Sequence, residues 1–267
     1  MDRQAPLSAV IITFNEEKNI GRCLDSLRDV ADEMLVVDSF STDRTQKICI
    51  AKGARCIQNS FAGHVEQKNY AMQQGRYDCI LALDADEALS DELKQSIADA
   101  KRQWSCDAYR FNRLTNYGGK WIRHCGWYPD AKIRLWDRSK GQWGGINPHD
   151  RVVMEKGSRI GHLAGDLLHF SYPTIGDHLS QINRFSDIAA RAAYARGRKS
   201  NLGADILLNP AFTFVKKYFI KLGILDGYVG FVISINSAYG KFIKYIKLRE
   251  LEMQKGPGPR RGHRGGD

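Results

Sequence analysis

Through the first hundred residues, apolar runs of strand length alternate with stretches of helical periodicity. Leu7-Ser8-Ala9-Val10-Ile11-Ile12-Thr13 reads as a first strand, and residues 16–27 follow with Ile20, Cys23, Leu24 and Leu27 on one helical face. Glu33-Met34-Leu35-Val36-Val37-Asp38 is a second strand ending in an acid, and Ser41 or Thr42 is placed to N-cap the next helix. Arg55 to Gln58 reads as a short third strand, residues 65–74 as a helix closed by Gly75, and the run ending at Asp84 as a fourth strand. Ser90 then caps a helix with Asp91 and Glu92 in its first turn. Strands that are apolar at every position are buried on both faces, so this alternation predicts an α/β fold with a mainly parallel sheet and flanking helices.

The pattern changes twice more. Between Ala108 and Met154 it becomes short strands in aromatic, glycine-rich loops carrying Trp121, Trp127, Tyr128, Trp136 and Trp143. That composition suits an acceptor surface, although Trp136 reads better as core. Residues 174–196 read as helix, and from Asp205 to about Met253 a second helical region mixes apolar blocks with lysines, as in Lys241-Phe242-Ile243-Lys244-Tyr245-Ile246-Lys247. Basic amphipathic helices of this kind lie in a membrane interface with their lysines towards anionic headgroups. The alternative is packing against the main domain or a second subunit in a homo-oligomer. The expected organisation is a catalytic-type domain over 1–200, basic amphipathic helices over 201–253 and a disordered basic tail over 254–267.

Composition narrows the partners. The 267 residues carry a formal charge of +10, which favours a polyanionic partner such as nucleic acid, anionic lipid or a phosphorylated glycan. The positive excess sits in the lysine-rich helices and tail, outside any nucleic-acid-binding module, so no nucleic acid is expected. Six scattered cysteines with no C-x-x-C pair suit a reducing cytosol. The opening residues have no basic n-region, and no stretch offers about 20 uninterrupted apolar residues. A cytoplasmic protein, peripheral on a membrane, is the expectation.

The candidate chemistry is concentrated in Ile80-Leu81-Ala82-Leu83-Asp84-Ala85-Asp86-Glu87, where an apolar strand ends in alternating carboxylates. Open α/β sheets bind ligands at this carboxyl edge. Two adjacent acids there oppose each other's ionisation, a conflict that Mg²⁺ or Mn²⁺ relieves, with substrate phosphates completing the metal's shell. The bland reading is a solvated loop capping the next helix.

Three ordered segments now coincide: Thr13-Phe14-Asn15-Glu16-Glu17, Asp38-Ser39-Phe40-Ser41-Thr42-Asp43 and Asp84-Ala85-Asp86-Glu87. Together they resemble the nucleotide-site segments of inverting family 2 glycosyltransferases of the GT-A fold. Trp127-Tyr128-Pro129-Asp130, Arg134-Leu135-Trp136 and Pro148-His149-Asp150 are similar to the bacterial lipopolysaccharide core transferases of the WaaE/KdtX type. The resemblance implies a nucleotide-sugar donor, with UDP-glucose leading, and transfer of a hexose to a lipid-linked acceptor such as core heptose at the inner face of the bacterial inner membrane. It implies that Asp86 ligates Mg²⁺ or Mn²⁺, that Asp84 contacts the ribose or supports the metal, and that Glu16, Asp38 and Thr13 line the nucleoside pocket. Lys68 falls near the diphosphate. Asp130 is the expected base, with Asp150 its rival because Pro129 replaces the commoner acid before Asp130. His149 is the expected further metal ligand, and Arg134 either anchors a phosphate or buttresses Asp130. Two other functions remain open, transfer to another cell-surface polysaccharide and nucleotidyl transfer. The acidic, glycine-free loop after the first strand ranks the latter low.

Overall fold

The computed structural model describes residues 5–146 and 149–254, the side chains of Ile146 and His149 excepted. The chain forms two compact units, one of residues 1–116 with 127–171 and the other of residues 117–126 with 172–267.

The first unit opens with β1 (Leu7–Thr13), α1 (Ile20–Leu27), β2 (Glu33–Asp38), α2 (Thr45–Ala51), β3 (Arg55–Gln58), α3 (His64–Gln74) and β4 (Cys79–Asp84). It continues with β5 (Glu87–Leu89), α4 (Asp91–Arg102) and β6 (Ala108–Tyr117). β7 (Lys120–Ile122) lies in the second unit; β8 (Ala131–Asp137), β9 (Gly141–Ile146), β10 (His149–Met154) and β11 (Ile160–Tyr172) follow. The sheet runs β3-β2-β1-β4-β8-β6-β11-β5. Its first four strands pair in parallel, as the alternating pattern predicts. β8 then pairs antiparallel with both β4 and β6, and β5 antiparallel with β11. β9 and β10 form a separate two-stranded ribbon. This mixed α/β sheet, parallel over its first four strands, is the fold class expected from the sequence.

The continuous apolar strands arise because both sheet faces are covered. Leu7, Ala9 and Ile11 of β1 join Leu81 and Leu83 of β4, Leu24 of α1 and Leu93 of α4 in one core. Val10, Ile80 and Ala82 point the other way, joining Ala71 and Met72 of α3 and the indoles of Trp136 and Trp143. Trp136 is therefore core, as expected, and Trp143 is core too rather than acceptor surface. Gly165, at φ +88°, has no room for a Cβ, which would fall 2.3 Å from the Leu93 nitrogen where α4 begins.

Two helix starts differ from expectation. α1 begins at Ile20 rather than near residue 16, because Asn15 adopts φ 55° and residues 16–19 form a turn. α2 begins at Thr45, and Ser41 and Thr42 do not cap it.

The second unit contains α5 (Ile175–Ala195), α6 (Asn209–Val215) and α7 (Gly227–Gln254), with π-helical segments at Leu202–Leu208 and Lys216–Ile220. Thr174 and Asp177 form a capping box that starts α5. A cluster of Ala190, Ala193, Ile206, Tyr245 and Leu248 joins α5 to α7. Gly230 permits a close approach, since a Cβ there would lie 1.9 Å from the Gly223 carbonyl oxygen. The tail expected over 254–267 lies outside the described residues, except for Gln254, which ends α7.

Candidate functional site

At the carboxyl edge of the parallel strands, register aligns three predicted residues. Thr13 of β1 faces Asp38 of β2, and Ile12 faces Asp84 of β4. With strands about 4.8 Å apart, Asp38 lies level with Thr13, and Asp84 one position lower beside Ile12.

The loops after β1 and β2 clasp each other, which explains much of both motifs. The Asn15 N–H donates to Ser41 Oγ at 2.8 Å, and the Thr42 N–H returns a bond to Asn15 Oδ1 at 2.8 Å. The Glu16 N–H donates to Thr45 Oγ1 at 2.8 Å, and the Glu17 N–H to Asp43 Oδ2 at 3.1 Å. Asp38 is fully buried. Its carboxylate accepts from the Ser41 N–H at 2.9 Å, the Ser41 hydroxyl and the Gln46 amide at 2.7 Å. Those bonds make Asp38 a loop anchor. The Glu16 carboxylate accepts from Asn19 at 2.8 Å. Burial pushes its pKa up against that bond, with the negative charges of Asp86, Asp43 and Asp84 adding to the rise.

Beyond β4, four acids and four bases alternate in one connected chain. Asp150 meets Lys68 at 2.8 Å, and Lys68 meets Asp84 at 2.8 Å. Asp84 meets Arg134 at 3.0 Å, and Arg134 meets Glu87 at 3.0 Å. Glu87 lies 3.6 Å from Arg113, Arg113 2.8 Å from Asp130, and Asp130 2.9 Å from Lys132. Burial would raise the Asp84 carboxyl, but Lys68 and Arg134 outweigh it and hold it well below the usual carboxylate range. Asp130 is held low in the same way, burial being overcome by Lys132 and Arg113. Glu87 also accepts the Asp84 N–H at 2.9 Å, tying the acidic turn to the buried arginines.

Asp86 differs from these acids. Among the described residues it pairs with no lysine or arginine, and its partner is His169, whose Nε2 lies 3.1 Å from its Oδ2. The Ser171 hydroxyl lies 3.0 Å from Nδ1 of the same ring. A carboxylate and an imidazole at this distance suit a divalent cation that takes its remaining ligands from water and phosphate. No group of three His, Cys, Asp or Glu side chains able to hold a metal occurs among the described residues. His149 begins β10, but its side chain lies outside the described residues.

Among the described residues, three buried polar atoms have no hydrogen-bond partner: Thr13 Oγ1, Arg134 Nη1 and Trp143 Nε1. Leaving such groups unmade costs about 1–3 kcal/mol each, which a polar ligand would recover. Trp143 closes a small cavity lined also by Val10, Ile12, Lys68 and Ala82. The Lys68 ammonium stands 4.5 Å from the Trp143 ring centroid. Asn69 fixes that tryptophan's backbone, donating to its carbonyl at 2.9 Å and accepting from its N–H at 3.0 Å.

Among the predicted site residues, then, Lys68, Asp84, Asp130 and Asp150 fall in one charge network, while Thr13, Glu16 and Asp38 lie at the neighbouring strand ends. Arg134 buttresses Asp84 and Glu87, whereas Arg113 and Lys132 hold Asp130. Sequence reasoning missed Glu87, Arg113 and His169. Glu87 stood in the quoted motif, and the apolar Ala88-Leu89 after it was the available sign of burial. His169 reaches the site only because β11 pairs antiparallel with β5, setting it opposite Glu87.

The chain belongs to glycosyl transferase family 2, whose sequence model matches residues 8–156. An uncharacterized glycosyltransferase of Rickettsia typhi is 33% identical over 93% of this chain and 88% of its own length. The lipopolysaccharide core biosynthesis glycosyltransferase LpsC of Rhizobium meliloti is 27% identical over 94% of each chain. Among solved structures, glucosyl-3-phosphoglycerate synthase of Mycobacterium tuberculosis, in complex with Mn²⁺, UDP and glucosyl-3-phosphoglycerate, is 22% identical. It aligns with a TM-score of 0.36 over 43% of this chain and 45% of that one.

Proposed function

We propose that this glycosyltransferase moves a hexose, with inversion, from a nucleotide-diphosphate sugar to a lipid-linked acceptor of the lipopolysaccharide-core class, with UDP-glucose the leading donor. The observation that carries the reading is the division of labour between Asp84 and Asp86. Asp84 is committed to Lys68 and Arg134, while Asp86 forms no ion pair with a lysine or arginine among the described residues and meets the His169 imidazole. Asp86 and His169 would hold the divalent metal. When bound, that metal acts as a Lewis acid that offsets the charge growing on the departing nucleotide diphosphate.

The chain's own groups supply the rest. Thr13, Arg134 and Trp143 offer unmet polar atoms to a ligand, and Lys68 brings positive charge to the diphosphate side. Asp130, kept ionised by its cationic neighbours, accepts the acceptor hydroxyl's proton as that oxygen attacks the anomeric carbon from the face opposite the leaving group. Asp150, which meets Lys68, stays the rival base, since Asp130 is itself paired with Arg113 and Lys132. The name of LpsC supports the acceptor class. The lysine-rich helices of the second unit support action at the anionic inner face of a bacterial membrane.

The test is a thermal-shift screen of UDP-, GDP- and ADP-sugars with and without Mn²⁺, followed by transfer to a core-heptose lipid. A UDP-sugar that raises Tm only with the metal is the expected result. No stabilisation by any nucleotide sugar would end this reading.

A further inference from the structure

The second unit turns an unusual amount of apolar surface outward. Along α7, Tyr228, Phe231, Ile235, Tyr239, Phe242 and Ile246 recur every three or four residues, and all are exposed, by 38% to 73%. A stripe of that spacing on one helix extends about 27 Å. The preceding helical stretch repeats the pattern with Leu208, Phe212, Val215 and Phe219, each at least 44% exposed. Soluble proteins rarely leave contiguous apolar surface of this extent uncovered.

Over residues 202–248, which hold both apolar stripes, the charges that meet solvent are positive, and exposed Glu250 lies beyond them near the end of α7. From residue 202 to 248 the acids are Asp205 and Asp226. Asp205 pairs with Arg198 at 3.0 Å, and Asp226 is buried against His124 at 3.0 Å. Lys216, Lys221 and Lys241 are exposed and form no ion pair among the described residues. Among the described residues, no single helix is long and apolar enough to cross a membrane. The two limbs, Leu202–Ile220 and Gly223–Gln254, reach that composition only together, and they meet at a 72° bend.

We propose that this bent pair is a monotopic insertion element: its apolar stripes sink among the acyl chains of one anionic leaflet while its unpaired lysines engage the headgroups. The occupant is a lipid bilayer, because the unpaired charges that flank the exposed stripes, Lys216, Lys221 and Lys241, are all positive. An identical second copy would oppose lysine to lysine. This deepens the membrane placement proposed above by committing to hydrophobic insertion rather than to surface charge alone.

Flotation of the full-length protein with phosphatidylcholine vesicles containing 25% phosphatidylglycerol tests it, at 0.1 M and 1 M NaCl. The wild type is expected to float at both salts. Replacing Tyr228 and Phe242 together by Glu should cut bound protein by at least about tenfold. Lys216→Gln with Lys241→Gln should weaken binding roughly fivefold per lysine at low salt only. If the glutamate variant does not fold, Tyr228→Ser with Phe242→Ser makes the same test. Complete release by 1 M NaCl, or flotation unaffected by the stripe variants, overturns the proposal. So does a wild-type dimer that the stripe variants convert to monomer without any vesicle binding. UDP binding measured on the same samples separates this outcome from a failure of the glycosyltransferase reading, since Tyr228 and Phe242 lie outside the donor-site residues.

Discussion

The two units handle polar and apolar groups in opposite ways. The first buries its hydrophobic side chains on both faces of a sheet and gathers charge into a network where almost every ion has an opposite partner. The second holds a small core, leaves long apolar stripes outside and has Lys216, Lys221 and Lys241 exposed with no ion pair among the described residues. A region whose charges are satisfied internally is preorganised for chemistry on a small polar ligand. A region that leaves so much apolar surface exposed is built for contact with a further surface. Within the charge cluster beyond β4, Asp86 stands apart because among the described residues it meets an imidazole rather than a lysine or arginine.

Breaking that balance where it is most buried should have the largest effect. Glu87→Ala leaves Arg134 and Arg113 without their buried counter-ion and should cost about 3–5 kcal/mol, read from urea unfolding. A loss under 1 kcal/mol would show that the network is not structural. His169→Ala touches the site but not the network. It should raise the Mn²⁺ concentration needed for half-maximal activity about 10–100-fold, with the melting temperature nearly unchanged.

Acid should sharpen the contrast in the second unit. Burial, reinforced by the positive charge of Lys217, pushes His178 down from 6.5 to about 4. Between those values the unfolded chain takes up the proton and the folded one does not, so stability is full above 6.5 and falls as pH drops towards 4. Urea midpoints of wild type and His178→Asn should therefore diverge across that window, the variant losing less. The smallest effect is expected on the stripe: Tyr239→Ser should change stability in water by no more than about 0.5 kcal/mol, because that side chain is already exposed.

Much of the first unit was readable because its information is local. The apolar runs of β1, β2 and β4 declare burial on both faces, and Gly75 and Ser90 mark the expected helix ends. Asp84 and Asp86 were legible as a strand-end pair. Their separation into a paired and an available carboxylate was not, because Lys68 and Arg134 arrive from α3 and β8. His169 was hidden for the same reason, its place depending on the β5–β11 register. Ser41 and Thr42 misled, since residues suited to N-capping clasp a neighbouring loop equally well. In the second unit the lysine and aromatic pattern was visible, but which face stays uncovered depends on how α5 packs along α7.

The central claim is that Asp86 is the carboxylate free to hold a divalent cation. Calorimetric titration of UDP into wild type and Asp86→Asn, each with and without Mn²⁺, tests it most directly. The account predicts Mn²⁺-dependent binding in wild type and a loss of at least about 100-fold in the variant, which should melt within a few degrees of the parent. Equal, metal-dependent UDP affinity in both proteins would contradict it.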